Sequence, residues 1–390
     1  MIDSAWMTFV LLIAIRVFQA PALIKAWMAS SAFWGYCLNP WMIGLAARVQ
    51  WPATRLASCY LALNATLMGV AASQPSLLVY TPLMVAWMVF SSQVSPLMVH
   101  VYTQHYPKVE RGRRCASVFL IASVGGSLFS YTAGRCLDAN LDYYRWVLLS
   151  FAAAGYAAAY CLSRIPSTPI PCEANARGWS NVGLIIKDRL FGWVVLAWTL
   201  MSLGQWMVMP LRLEYLTHPS YGLQASNQQV ALVTFVIPAL AQALSMKPWG
   251  LAFDHYPVLY VRIAVNLCIV AGVLIFFHVK TLLLLGVATG LMGLGSGGSM
   301  LLSHIWVTKL AGQPGKAPAY MSAHAFVSGL RGLCAPFLGY WLIGATSPSW
   351  TAALAATLGI GSMLMFAYVA HHPRLGEGQR PKFWSRTAKP

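Results

Sequence analysis

Apolar runs long enough to cross a bilayer recur from one end of this 390-residue chain to the other, and they limit the possible folds more than any other feature. A run of 18 or more apolar residues spans about 30 Å of hydrocarbon as a helix. Inside lipid each backbone N–H and C=O must find its partner within the protein, so helices and closed barrels are the only spanning structures. Unbroken apolar runs, without the apolar–polar alternation of barrel strands, select helices. The chain is 58% hydrophobic and only 9% charged, against about 25% charged in a soluble domain. The reading is therefore an all-α, polytopic membrane protein with no large water-soluble domain.

Twelve spans are expected, at 4–20, 22–47, 56–74, 77–103, 115–134, 145–163, 190–211, 228–249, 258–278, 281–308, 317–343 and 350–371. The first is short. It lacks a basic n-region and a clear cleavage site, so it is read as a helix and not as a cleaved signal. The longest polar connection, Ser163 to Arg189, contains Pro166, Pro169 and Pro171 and reads as a tether at mid-chain. The expected organisation is a six-helix bundle over 1–163, a linker over 164–189, a second six-helix bundle over 190–371 and a basic tail over 372–390.

Charge sets the orientation. The formal net charge is +17, which would suggest nucleic acid if the cations lay on one exposed surface. They sit instead in short loops between spans, the pattern that keeps loops cytoplasmic. With both termini inside, Arg16, Lys25, Arg135, Arg145, Arg212 and Lys280 fall outside, Arg331 alone falls within a span, and the other Lys and Arg face inward. The expected location is a bacterial cytoplasmic membrane. The eight Cys are scattered singly, with no CxxC pair and no Cys/His cluster, so neither a metal, a cofactor nor a disulfide framework is expected.

One turn occurs twice. Pro248-Trp-Gly-Leu-Ala-Phe-Asp-His-Tyr-Pro-Val-Leu-Tyr-Val-Arg262 is matched by Trp41-Met-Ile-Gly-Leu-Ala-Ala-Arg-Val-Gln-Trp-Pro-Ala-Thr-Arg55, roughly 200 residues earlier. Both carry Gly-Leu-Ala, then Pro, then Arg, between apolar runs, which suggests a duplicated bundle. The second copy resembles the loop between the second and third helices of each half in the major facilitator superfamily. Gly250, Asp254 and His255 fit that pattern; Pro257 and Val258 stand where Gly and a basic residue are usual. In the first copy Gly44 fits, and Arg48 occupies the acidic position. Tyr106-Pro-Lys-Val-Glu-Arg-Gly-Arg-Arg114, leading into Val124-Gly-Gly126 and Gly134-Arg-Cys-Leu-Asp138, is similar to the family's loop and fifth helix. Gly329-Leu-Arg-Gly-Leu-Cys-Ala-Pro-Phe-Leu-Gly339 is similar to its eleventh.

The resemblance implies two pseudo-symmetric six-helix bundles that carry a small solute by alternating access. It implies gating by the twinned turns and the loop after the fourth span, through Gly250, Asp254, Arg262, Gly44, Arg48, Arg111 and Arg113. It also places the first, fourth, seventh and tenth spans around the cavity, where Gln19, Ser91, Ser92, Gln93, Ser95, Gln205 and His304 are the polar candidates. Arg331 needs no resemblance to stand out, because a charge in mid-span costs at least a few kcal/mol unless it meets a partner or water. As a ligand it would select carboxylate or phosphate; as a structural residue it would bond carbonyls or hydroxyls between helices. Glu214 is expected to pair with nearby Arg212. With no acid clearly in mid-span, facilitated diffusion, exchange or coupling through His is favoured over coupling through a protonated carboxylate. The alternative function is a membrane scaffold or assembly factor retaining the fold. An enzyme is not expected, because no constellation of reactive groups gathers at one interface. Solute and lipid are the expected partners of a monomer.

Overall fold

The computed structural model describes residues 5–106, 111–169, 180–221, 223–310 and 317–372. These form twelve principal helices and, among the described residues, no β-strand. Helix α1 is a π-turn, Ala5–Phe9, continued by Val10–Arg16. It is followed by α2 (Ala22–Val49), α3 (Ala53–Ser73), α4 (Leu77–His105), α5 (Arg111–Ala139) and α6 (Tyr144–Ser163). Helix α7 is Arg189–Val208 continued by Leu211–Thr217; α8 is Asn227–Ala231, a π-turn Leu232–Val236 and Ile237–His255. Then come α9 (Val258–Phe276), α10 (Leu282–Leu310), α11 (Ala317–Ala345) and α12 (Pro348–Ala370). By length and composition, nine of them among the described residues, α3, α4 and α6 to α12, suffice to cross a membrane.

Helix ends follow local chemistry more than hydropathy. Asp188 caps α7 through Phe191 N, Ser226 and Gln229 form a reciprocal capping box on α8, and Ser347 caps α12. The twinned turns are shorter than their sequence suggests. Pro248 and Gly250 lie inside α8, which runs to His255, and Gly44 lies inside α2, which runs to Val49. The break comes at Pro257 in the later stretch and at Pro52 in the earlier one, because the residue before a proline is pushed out of the helical region. Tyr256, before Pro257, sits at φ −118°, ψ 156°. In the first copy Gln50 adopts a left-handed φ of 52° just before Trp51-Pro52.

Helix pairing repeats with an offset of six. Helix α3 packs on α4 and α6, as α9 packs on α10 and α12; α2 packs on α4, as α8 packs on α10. Two pairs join the sets across a central seam, α2 with α11 and α5 with α8. Gly286, Gly290, Gly293 and Gly297 share one face of α10 and let α8 approach. A Cβ at Gly293 would overlap the carbonyl of Pro238. The result is two pseudo-symmetric six-helix bundles. Below, the end of the molecule bearing the Ser163–Arg189 connection is called the linker side.

Candidate functional site

On the side opposite the linker, the seam is bolted by polar contacts between the bundles. Lys25 Nζ on α2 lies 2.7 Å from Glu214 Oε2 on α7, with both side chains about nine-tenths buried. The same ammonium stands 5.3 Å from the centre of the Tyr340 ring on α11. Asp138, at the end of α5, accepts from the first backbone N–H groups of α8, Asn227 at 2.6 Å and Gln228 at 2.9 Å. A carboxylate there satisfies orphan donors and meets the positive end of the helix dipole. Arg16 donates to the Ala225 carbonyl, and Thr8 and Thr234 share a hydrogen bond of 2.9 Å. Glu214 therefore does not pair with Arg212, which turns to the Met292 sulfur and the Met209 carbonyl. Residues two apart on a helix point in different directions, so that pairing was sterically poor.

Toward mid-seam the contact becomes apolar and close. Trp27 meets Phe337 edge-on, Phe33 meets Trp206, and a Cβ at Gly332 or Gly329 would overlap Phe33 or Cys37. Met7, Leu11, Met28, Trp206, Leu213 and Pro336 line part of a cavity of about 30 Å³ there. The side chains that line it are apolar.

The linker-side half of the second bundle holds a different chemistry. Arg262, grouped by charge with the inward-facing loop cations, is 2% exposed one turn into α9, which starts at Val258 as its span implies and turns this side chain into the bundle. Its guanidinium centre lies 3.6 Å from the centre of the Trp198 ring, and Nη1 donates to Ser299. Arg331, 9% exposed, donates to Ser328 at 2.8 Å and Thr199 at 3.4 Å. The ring of His324 stands 5.5 Å from Trp198 and 5.0 Å from Trp306, and both arginines act on it electrostatically. Arg262 and Arg331 repel each other, and among the described residues neither forms an ion pair. Thr199 lies two turns before Trp206 on the same face of α7, and Gly329 and Gly332, on either side of Arg331, meet Cys37 and Phe33 of α2, so Arg331 borders the seam.

The other candidates disperse. Gln93 is 2% exposed and donates to the Gly35 carbonyl on α2 and to Ser92, within the first bundle. Ser91 meets Asn64 of α3, Ser95 is exposed, and Gln205 is half-buried on α7. Gln19 is exposed in the α1–α2 turn at φ 48°. Arg48 is exposed in the last turn of α2. The side chains of His304, Asp254, Arg111 and Arg113 lie outside the described residues, as do linker residues 170–179 and the tail beyond His372. The described start of the linker docks on the first bundle: Thr54 bonds Ser167 and the Ile165 carbonyl, and Gln104 meets Thr168.

Two bundles with matching helix pairing, paired seam helices and a one-sided bolt define an integral, multi-pass membrane protein of the major facilitator fold. No protein-family model matches the chain, and no curated protein matches it in sequence. Solved structures match it in fold along nearly its whole length. A point mutant of the nucleoside transporter NupG superposes with a TM-score of 0.72 at 11% identity, over 94% of this chain and 95% of that one. The human organic anion transporter MFSD10 gives 0.60 at 16% identity, over 93% and 89%. A D-xylose-proton symporter gives 0.64 at 13%, over 93% of each. Identity this low carries the fold and nothing about cargo.

Proposed function

We propose that the protein is a secondary transporter of a small anionic solute, with the linker side in the cytoplasm and the two bundles rocking about the seam. The observation that carries this reading is the placement of Arg331, a buried cation bordering the seam beneath a closure made of separable contacts. Breaking Lys25–Glu214, Asp138 with the α8 N-terminus and Arg16 with Ala225 would open the opposite side, while water can hydrate each freed group. The one buried carboxylate in these bolts, Glu214, is engaged by Lys25, which favours exchange or facilitated diffusion over proton coupling.

A second reading has its own support. The cavity under the bolts, about 30 Å³ and lined by apolar side chains, is too small for a solute, as expected of a membrane scaffold that keeps the fold without carrying cargo. Uptake and efflux in reconstituted vesicles, across a panel of organic anions, separates the two. Transport that Arg331→Ala abolishes supports the anion carrier. Transport indifferent to that change removes the anion site and leaves a carrier, whereas no movement of any solute leaves the scaffold.

A further inference from the structure

We infer that Arg262, Arg331, His324 and Trp306 form a binding site for a tetrahedral dianionic oxyanion, a phosphoryl or sulfate group, which is the head of the cargo. This deepens the transporter reading above and rests on it.

The cluster holds unmet hydrogen bonds. Arg262 Nε, Arg331 Nε, His324 Nδ1 and Trp306 Nε1 are all buried and lack a partner. Three of these are obligatory donors, and the imidazole nitrogen donates in one tautomer. The four side chains gather around one ring, Trp198: Arg262 on its face, His324 and Trp306 within 5.8 Å of its centre, and Arg331 bonded to the next residue, Thr199.

Protein acceptors in the cluster are already committed. Thr199 donates to the Val195 carbonyl and Ser328 to the His324 carbonyl, so each turns its lone pairs to Arg331. Ser299 accepts from Arg262. None of these hydroxyls carries charge. Among the described acidic side chains, Glu214 holds Lys25, Asp138 caps α8, Asp188 holds Phe191 N and Tyr320, and Asp142 lies in the exposed α5–α6 turn. The cluster is therefore rich in donors, poor in acceptors and doubly positive.

Charge and shape select the ligand. Two buried guanidinium groups that repel each other call for two negative charges held close together. A monocarboxylate supplies one, and a dicarboxylate spreads its two over separated centres. A phosphoryl group carries nearly two at neutral pH on three strong acceptor oxygens, which suits a pair of guanidinium donors gathered about one ring. Arg331, the member that borders the seam, is the point of entry.

The test uses the purified full-length protein at pH 8, with inorganic phosphate, sulfate, succinate, acetate and chloride as potassium salts at matched ionic strength. Binding is read by calorimetry and by thermal shift. Saturable stabilisation by phosphate or sulfate, at least tenfold tighter than acetate, succinate or chloride, is expected, and comparing the first two tells which source the site prefers. Arg262→Gln and Arg331→Gln should each weaken that binding at least tenfold, while Arg145→Gln, an exposed cation at the start of α6 in the first bundle, leaves it unchanged. Trp306→Phe keeps an aromatic ring and removes only the indole N–H. It should weaken binding several-fold, which guards against arginine variants that fail to fold.

Equal binding of acetate or succinate, no binding of either tetrahedral anion, or wild-type affinity in Trp306→Phe would overturn the inference. The two readings fail separately. Carriage of carboxylates without phosphate or sulfate binding removes this site's assignment and leaves the transporter. Binding without carriage of any solute removes the transporter and with it the assignment of the anion as cargo.

Discussion

The sharpest perturbation is Lys25→Ala. Lys25 and Glu214 are 189 positions apart and meet at 2.7 Å across the seam, with side-chain exposures of 11% and 9%. Removing one partner of a buried pair leaves the other charge uncompensated, at a cost of about 3–5 kcal/mol. That penalty falls on the closed state, because an opened seam lets water reach Glu214. At about 1.4 kcal/mol per factor of ten, the closed-to-open ratio should fall by roughly two to three and a half powers of ten. A cysteine placed at Leu213, which is 1% exposed, reports this in a cysteine-free background. Its reaction with a charged, impermeant maleimide added on the far side should accelerate at least a hundredfold in Lys25→Ala. Lys25→Met with Glu214→Leu leaves no bare charge, and the rate should return most of the way to the parent's. A single variant that labels like the parent, or a double variant more open than either single, would refute the bolt.

The other contacts of the seam give smaller effects. Asp138→Ala strips two charge-assisted bonds from the start of α8 and should destabilise the closed state by about 1–2 kcal/mol, seen as roughly tenfold faster Leu213→Cys labelling. Gly332→Val drives a side chain into the Phe33 ring and should lower thermal stability by the equivalent of about 1–3 kcal/mol; adding Phe33→Ala should recover part of it. Trp198→Leu removes the aromatic face under Arg262, a loss of about 2 kcal/mol measured by thermal unfolding.

Much of this fold could be read from apolar runs alone, since each span has its helix. The ends were harder, for a physical reason. Hydropathy senses the bilayer, whereas a helix continues as far as its hydrogen bonds allow. Arg111 to Arg114 and Asp254–His255 are helical although polar, so α5 and α8 outrun their apolar spans. Arg331 stood out as the mid-span charge. Arg262 did not, because it lies near the start of its span and counts with the inward-facing cations; the available signal was Asn266, one turn farther along and also fully buried. The Lys25–Glu214 bolt left no local trace, because its partners lie in different bundles.

The cation cluster and the bolts are joined by two shared helices. Helix α7 carries Trp198 and Thr199 in the cluster and Glu214 at its far end; α11 carries His324 and Arg331 in the cluster and Tyr340 beneath Lys25. Helix α7 also breaks at Met209–Pro210, between its two roles, where proline supplies no N–H. A ligand shifts a conformational equilibrium only by the difference in its affinity for the two states. An anion drawn against Arg331 can produce that difference by moving the α7 segment that holds Thr199 relative to the segment that holds Glu214. Coupling through α7 requires the break to transmit the movement, so a straightened helix would leave anion binding intact while uncoupling it from the bolt. Pro210→Ala should therefore retain phosphate affinity in detergent yet lose any effect of phosphate on Leu213→Cys labelling. An undiminished phosphate effect in that variant would move the coupling to α11.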